Sequence, residues 1–175
     1  TRHCVASNSC TSSLETALQV LGASIDDEVI VPTQTFIATG MAVKLVGAKP
    51  VFCEINPRDF SIDFNAMKNL LNKRTKGVIL VHFSGYISDD IFKIKKFCEE
   101  NNLFLIEDAS HAPGAIIDGK LSGSIGDIGC FSLYPTKIIT SGEGGMLTTD
   151  NDQIAQQAVS LQNRGRDMQS DTEEY

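Results

Sequence analysis

The fold of this chain is decided by a short apolar run that ends on two acids, Leu103-Phe104-Leu105-Ile106-Glu107-Asp108-Ala109-Ser110-His111. The continuous apolar character of residues 103–106 predicts a buried strand. The preceding residues 89–101 predict an amphipathic helix, with Ile91, Ile94 and Cys98 on its inner face. In α/β sheets, ligands bind beyond the carboxyl ends of the strands. We therefore expect Asp108, just past the strand, at the mouth of a binding site.

The same alternation of apolar runs and amphipathic segments continues along the whole chain. It predicts further strands at residues 4–6, 29–31, 50–53, 77–81, 128–132 and 145–148, and further helices at 11–21, 36–46, 63–71 and 150–162. Pro32 is expected to stop one strand and Asp63 to cap one helix. This rhythm predicts an α/β domain with a mostly parallel sheet and helices on both faces.

Composition limits the classes of function. The 175 residues carry a formal net charge of −7, which argues against binding to nucleic acid or to an anionic membrane. No run approaches the roughly 18 apolar residues that a membrane helix requires. The chain starts at Thr1 rather than Met, so we expect the natural start of the domain to be missing. The segment 164–175 is polar and acidic, as in a disordered end or a loop toward a continuation.

The five cysteines show no C-x-x-C pairing and no cluster with histidine. This distribution favours reduced thiols in a cytoplasmic protein over disulfides, and it predicts no metal site. Cys10 and Cys130 are expected to be structural.

A hydroxyl-rich turn, residues 7–13 (SNSCTSS), follows a strand and opens a helix. Backbone N–H groups and hydroxyls at a helix N-terminus favour an anion such as phosphate, although an ordinary helix cap would look the same. The chain has no Walker motif and no G-x-G-x-x-G run, so nucleotide binding by those routes is unsupported. Ser132 could supply a further phosphate donor.

Lys137 ends the run FSLYPTK (131–137) and is followed by the glycine-rich SGEGG (141–145). The proline and the glycines indicate that Lys137 lies in a fixed loop. The alternative is an ordinary exposed lysine, as most lysines are. An amine, an acid and phosphate donors are what a pyridoxal phosphate (PLP) site needs. Lys137 would hold the cofactor as a Schiff base and later act as the general base.

Asp108 and His111 complete this hypothesis. A carboxylate against the pyridine nitrogen favours its protonated form. The alternative is a solvated aspartate at a strand end. His111 could donate a hydrogen bond to the phenolic oxygen of the cofactor, or could be an ordinary buried histidine.

Two further side chains have open interpretations. Phe36 could stack on the cofactor ring or belong to the core. His82, in VHFSG (81–85), could line the pocket or cap its strand.

Seven motifs carry a resemblance to a known family. They are SCTSSL (9–14), DEVIVP (27–32), GAKPVF (47–52), VH (81–82) with Gly85, EDASH (107–111), GSIGD (123–127) and SLYPTK (132–137). In this order they resemble the DegT/DnrJ/EryC1/StrS family of PLP-dependent sugar aminotransferases of fold type I. The resemblance covers nearly the whole chain. Cys10 stands where the family usually has glycine, which requires a negative φ at that residue.

The resemblance implies the following roles. Lys137 would form the Schiff base, Asp108 would contact the pyridine nitrogen, and His111 would lie near the phenolic oxygen. The phosphate would be held by Thr11, Ser12 and Ser132, and Phe36 would stack on the ring. Residues 1–165 would be the large PLP-binding domain with a truncated start, and residues 166–175 a polar tail that leads to an absent, smaller C-terminal domain.

The resemblance also implies the reaction. Family members move an amino group, usually from glutamate, to a keto group of a nucleotide-linked sugar, and they act as homodimers with shared active sites. One alternative is a PLP-dependent keto-sugar dehydratase, but that branch has histidine where Lys137 stands. A second alternative is a non-catalytic binding or regulatory paralogue.

Overall fold

A seven-stranded sheet forms the centre of the computed structural model, which describes residues 1–166. Its strands are β1 (His3–Ser7), β2 (Glu28–Pro32), β3 (Lys49–Cys53), β4 (Thr75–Val81), β5 (Phe104–Asp108), β8 (Ile128–Ser132) and β9 (Gly145–Thr149). The strands β6 (Ile116–Ile117) and β7 (Lys120–Leu121) form a separate hairpin. The helices are α1 (Cys10–Val20), α2 (Ile37–Leu45), α3 (Phe64–Leu70), α4 (Ile91–Glu100) and α5 (Asp152–Gln162), with a 3-10 turn at Phe83–Gly85.

The strand order is β1-β9-β8-β5-β4-β2-β3. All neighbours from β8 to β3 are parallel, and β9 runs antiparallel to both β8 and β1. The predicted fold class, a mostly parallel α/β sheet, is confirmed. The carboxyl ends of β4, β5 and β8 therefore lie side by side.

Helices cover both faces of the sheet, as predicted. In β5, Phe104 and Ile106 pack in one apolar cluster with α1, α2 and α5, whereas Leu105 packs in the other with α3 and α4. This alternation follows from the two-residue period of a strand. By the same period, Asp108 faces the α1 and α2 side, and Glu107 faces the opposite side.

Helix ends follow local capping. The side chain of Asp63 accepts a hydrogen bond from the Ala66 N–H at 2.8 Å, so the predicted cap of α3 is confirmed. The last helix begins two residues later than predicted, because Asn151 caps it by accepting from the N–H groups of Gln153 and Ile154. Pro32 is the last residue of β2, so the strand ends at the predicted proline and includes it. The hairpin of β6 and β7 was not predicted, since strands of two residues show no period.

Several observations concern the chain as a whole. None of the helices within residues 1–166 is long and apolar enough to cross a membrane. All five cysteines are free, and only Cys4 is exposed. In the same described part of the chain, no group of three His, Cys, Asp or Glu side chains is placed to hold a metal ion. The tail predicted at residues 166–175 lies, apart from Arg166, outside the described residues.

Candidate active site

A cavity of about 500 Å³ lies at the carboxyl ends of the central strands. Most of the predicted site residues line it, although they come from distant parts of the chain: Thr11, Phe36, Asp108, His111, Ser132 and Lys137. Ser12 is not among the lining residues, and its hydroxyl donates to Asn8 Oδ1 at 2.5 Å. The fold thus brings the predicted amine, acid, histidine and hydroxyls to one cavity.

Asp108 is the buried acid of this cavity, with only 6% of its surface exposed. Its Oδ2 accepts a hydrogen bond from the Thr39 hydroxyl at 2.9 Å. Its Oδ1 accepts from the Ser110 hydroxyl at 2.6 Å and from the Ser110 N–H at 3.2 Å. The interpretation as a solvated strand-end aspartate is therefore wrong. The carboxylate is fixed by neutral donors from two elements.

Asp108 takes part in none of the salt bridges within residues 1–166, although Lys137 and His111 line the same cavity. Buried charges in proteins are normally paired. A positively charged group bound in the cavity would supply the missing pair.

Lys137 is half-buried and lies in a loop after β8. Its N–H donates to the Tyr134 carbonyl at 2.9 Å, which closes a turn around Pro135. The loop is also held at its base, where Leu133 N–H donates to the Gly144 carbonyl and Ser141 N–H donates to the Leu133 carbonyl. The fixed loop that the sequence predicted is confirmed.

His111 lines the cavity three residues after Asp108. Burial lowers the pKa of His111, and the charge of Lys137 lowers it further, whereas Asp108 opposes the shift. Its Nδ1 accepts a hydrogen bond from the Ser84 N–H at 3.3 Å. The neutral ring with an Nε2–H therefore has a proton to donate to a bound molecule.

The first turn of α1, for which the sequence predicts anion binding, lies at the cavity. Ser9 caps the helix by accepting from the Ser12 N–H, and no acidic residue lies in the first turn. Cys10 is the first helical residue and does not have a positive φ, so its replacement of the usual glycine is tolerated. Burial, followed by the charge of Asp108, raises the pKa of the Cys10 thiol, which keeps it protonated.

Gly145 places Ser132 next to this first turn of α1. Ser132 at the end of β8 pairs with Gly145 at the start of β9. A Cβ on Gly145 would lie 2.3 Å from the carbonyl carbon of Ser9, so only glycine allows the sheet to approach α1 so closely.

Phe36 caps α2 at the cavity mouth and is 73% exposed. The alternative interpretation as a core phenylalanine is wrong.

His82 does not line the cavity. It is fully buried, and its Nε2 lies 2.8 Å from Glu107 Oε2 on the opposite side of the sheet. The interpretation of His82 as a pocket residue is wrong, because its side chain, just after the end of β4, points away from the site.

Two residues that hold Asp108 were missed by sequence reasoning. Ser110 could have been found, since a hydroxyl two residues after an aspartate often bonds to it. Thr39 bonds to Asp108 across 69 positions of sequence. A local hint is the spacing of Thr35, just before α2, and Thr39 within it, whose hydroxyls lie 2.8 Å apart.

The comparison with protein families decides the affiliation of the chain. The sequence model of the DegT/DnrJ/EryC1/StrS aminotransferase family matches residues 1–175. The chain belongs to this family. The resemblance that the motifs carried is thereby confirmed.

Two curated relatives of this DegT/DnrJ/EryC1/StrS chain are named for nucleotide-linked sugars. GDP-perosamine synthase of Caulobacter vibrioides is 42% identical over 166 residues, which are 95% of this chain and 44% of the relative. The UDP-N-acetyl-3-dehydro-alpha-D-glucosamine 3-aminotransferase of Acidithiobacillus ferrooxidans is 40% identical over 164 residues, 93% of this chain and 44% of the relative. The chain thus spans less than half the length of these relatives.

Solved structures of similar proteins agree with the fold. An aminotransferase from Psychrobacter cryohalolentis superposes with a TM-score of 0.95 at 35% identity, over 99% of this chain and 44% of that one. NtdA from Bacillus subtilis, solved with the bound cofactor PMP, gives a TM-score of 0.84 at 32% identity, over 91% of this chain and 36% of that one.

Membership of this family and the donor set of the cavity point to pyridoxal phosphate as the cofactor. The residues fit this molecule, because the buried carboxylate of Asp108, which forms no salt bridge within the described residues, suits a protonated pyridine nitrogen. The N-terminus of α1 suits a phosphate, and the amine of Lys137 suits an aldehyde.

Proposed function

We propose that this chain is the cofactor-binding part of an aminotransferase that moves an amino group from an amino acid, with glutamate as the expected donor, to a keto group of a nucleotide-linked sugar. One observation carries the proposal. The buried Asp108, which forms no salt bridge within residues 1–166, shares a cavity with the amine of Lys137 and the N-terminus of α1. The sugar-related names of the relatives support the choice of acceptor.

Each residue has a role in binding the cofactor. Asp108, oriented by Thr39 and Ser110, would hold a proton on the pyridine nitrogen. His111 would donate its Nε2–H to the phenolic oxygen. Thr11 and Ser132 would bind the phosphate, and Ser12 would join them only by giving up its hydrogen bond to Asn8. Phe36 would cover one face of the ring. When bound, pyridoxal phosphate supplies an aldehyde that accepts the amino group and a ring that takes up electrons released by deprotonation.

Lys137 has two roles in the reaction. Its Nζ would hold the aldehyde end of the cofactor, and once displaced by the incoming amine it would move a proton at the substrate carbon. The turn around Pro135 keeps Lys137 at the cavity. A lysine at this place also supports amino transfer over the dehydratase reaction.

The whole protein would contain more than this chain. Residues 1–165 would form its large domain, and residues 166–175 would lead to a small C-terminal domain. We expect a cytoplasmic homodimer. An apolar strip along one side of α2 and on the edge strand β3 supports a protein contact there; it comprises Ile37, Met41, Leu45 and Phe52, all exposed.

The experiment that tests the proposal uses the full-length protein. Addition of PLP to the apoprotein should give a yellow complex, and borohydride reduction should fix the label on Lys137, as located by peptide mass mapping. Lys137→Ala should abolish the covalent label, whereas the exposed Lys120→Ala on β7 should leave it unchanged. A protein that stays colourless and takes up no PLP would exclude the aminotransferase.

A second measurement identifies the reaction. Glutamate is supplied with keto sugars linked to GDP, UDP or dTDP, and formation of the amino sugar is followed by mass spectrometry. Labelling of Lys137 without product from any keto sugar would favour a different acceptor.

A further inference from the structure

A buried acid and histidine lie behind the cavity, on the opposite side of the sheet. Glu107 and His82 are both fully buried, and the Nε2 of His82 lies 2.8 Å from Glu107 Oε2. Nδ1 of His82 has no hydrogen-bond partner within residues 1–166. A buried polar atom without a hydrogen-bond partner lowers the stability of the fold, which indicates that His82 has a role other than stability.

The carboxylate of Glu107 also binds the glycine-rich run GSIGD. Oε1 accepts from the N–H groups of Ile125 and Gly126, both at 2.6 Å, and Oε2 accepts from the Gly123 N–H at 2.9 Å. Burial acts to raise the pKa of Glu107, but the hydrogen bond and charge of His82 and these N–H groups outweigh it and lower the pKa. The run therefore forms an anion-binding turn for the protein's own carboxylate.

Close packing explains the glycine at position 126. A Cβ on Gly126 would lie 2.6 Å from the Leu105 carbonyl oxygen, so the turn is pressed directly against β5. Asp127 forms two more hydrogen bonds with Leu105. Its N–H donates to the Leu105 carbonyl, and its carboxylate accepts from the Leu105 N–H.

This arrangement is connected to the cavity through three short paths. Glu107 and Asp108 are adjacent on β5 and point to opposite sides. The backbone N–H of His82 donates to the Asp108 carbonyl at 3.0 Å. The turn bound by Glu107 leads into β8, which ends at Ser132, and the loop after it carries Lys137.

We propose that Glu107 and His82 are positioning residues that hold Asp108 and the start of β8 in the geometry that binds the cofactor. The inference rests on the proposed function, since it concerns the same PLP site. One carboxylate joins β4, β5 and the turn before β8. Its loss would leave the backbone of Asp108 and the start of β8 held by strand pairing and by the hydrogen bonds of Asp127.

The test compares two buried carboxylates in the full-length protein. Glu107→Gln places an NH₂ group against backbone N–H donors, so at least one of the bonds is lost. Glu28 is a matched control, because it is also buried but lies at the amino end of β2, held by Lys49, Arg74 and Asn72. Both E107Q and E28Q should lower Tm.

The dissociation constant of PLP distinguishes positioning from plain stability. It is measured by fluorescence titration of each folded apoprotein. We expect about a tenfold increase for E107Q, the effect of loosening one charge-assisted contact, and a change below about twofold for E28Q. An E107Q protein that binds PLP as tightly as the wild type would overturn the inference.

A second pair of variants covers the case in which E107Q does not fold. His82→Gln keeps an N–H donor for Glu107, whereas His82→Leu removes it. We expect weaker PLP binding for H82L and recovery for H82Q; equal, wild-type affinity in both would overturn the inference. Failure of the wild-type apoprotein to bind PLP would instead reject the proposed function, and this inference with it.

Discussion

Replacement of Asp108 by asparagine should separate stability from cofactor binding. Asn has nearly the same shape as Asp, so the substitution removes the charge and changes little else. In the apoprotein, the charge is buried and forms no salt bridge within residues 1–166, and its removal relieves a desolvation cost.

The hydrogen bonds around the side chain can adapt to the amide. The Asn oxygen can take the place of Oδ1 and accept from Ser110. The NH₂ group then faces Thr39, whose hydroxyl can accept it and donate instead to the Thr35 hydroxyl, 2.8 Å away. Because every group keeps a partner, the free energy of unfolding should change by less than about 1 kcal/mol or rise slightly.

Cofactor binding should change much more. A neutral amide oxygen cannot form a charge-assisted bond with a protonated pyridine nitrogen. Such a bond contributes about 1.5–3 kcal/mol, which corresponds to a roughly 10- to 100-fold weaker affinity for PLP.

The assay is urea unfolding of the apoprotein together with titration by PLP. Asp63→Asn at the cap of α3 is the matched control, and it should change neither quantity greatly, since asparagine also caps helices. The reasoning is refuted if D108N has a much lower free energy of unfolding than the wild type while its affinity for PLP stays at the wild-type value.

Three further predictions follow from the same geometry. Since the pKa of His111 in the folded protein lies below its unfolded value of about 6.5, its contribution to stability should be present above that pH and be lost as the pH falls toward the folded pKa; His111→Gln should flatten this part of the pH dependence of unfolding. Gly145→Ala should push β9 away from Ser9 and lower both Tm and the affinity for PLP, with a cost of about 2 kcal/mol or more by thermal unfolding; an unchanged Tm would contradict the close approach. Phe36→Ala should alter the unfolding free energy by less than about 0.5 kcal/mol, because the ring is exposed, yet weaken PLP binding measured by titration.

The layer architecture could be predicted because its signals are local. The strand at residues 103–106 and the helix at 89–101 appear in the structure as β5 and α4. Burial periods of two or about four residues are visible in a short window of sequence. The antiparallel direction of β9 was not predicted, because no local pattern records which way a neighbouring strand runs.

The site was predicted in part for the same reason. Asp108 and His111 follow one strand and Lys137 follows another, so the rule for strand ends places them together. His82 also follows a strand, and yet it points to the other side, where it binds Glu107. The rule gives the edge of the sheet but not the face toward which each side chain turns.

By itself, the sequence determined the α/β class, the family motifs and the candidate amine, acid and hydroxyls, since these depend on residue type and short spacing. Only the tertiary structure decided that Thr39 holds Asp108, and that Glu107 rather than Asp108 binds the turn before β8. The physical reason is that these hydrogen bonds join segments far apart in the chain. They form only once the strand order of the sheet is set and β5 directs Asp108, rather than the adjacent Glu107, toward the cavity.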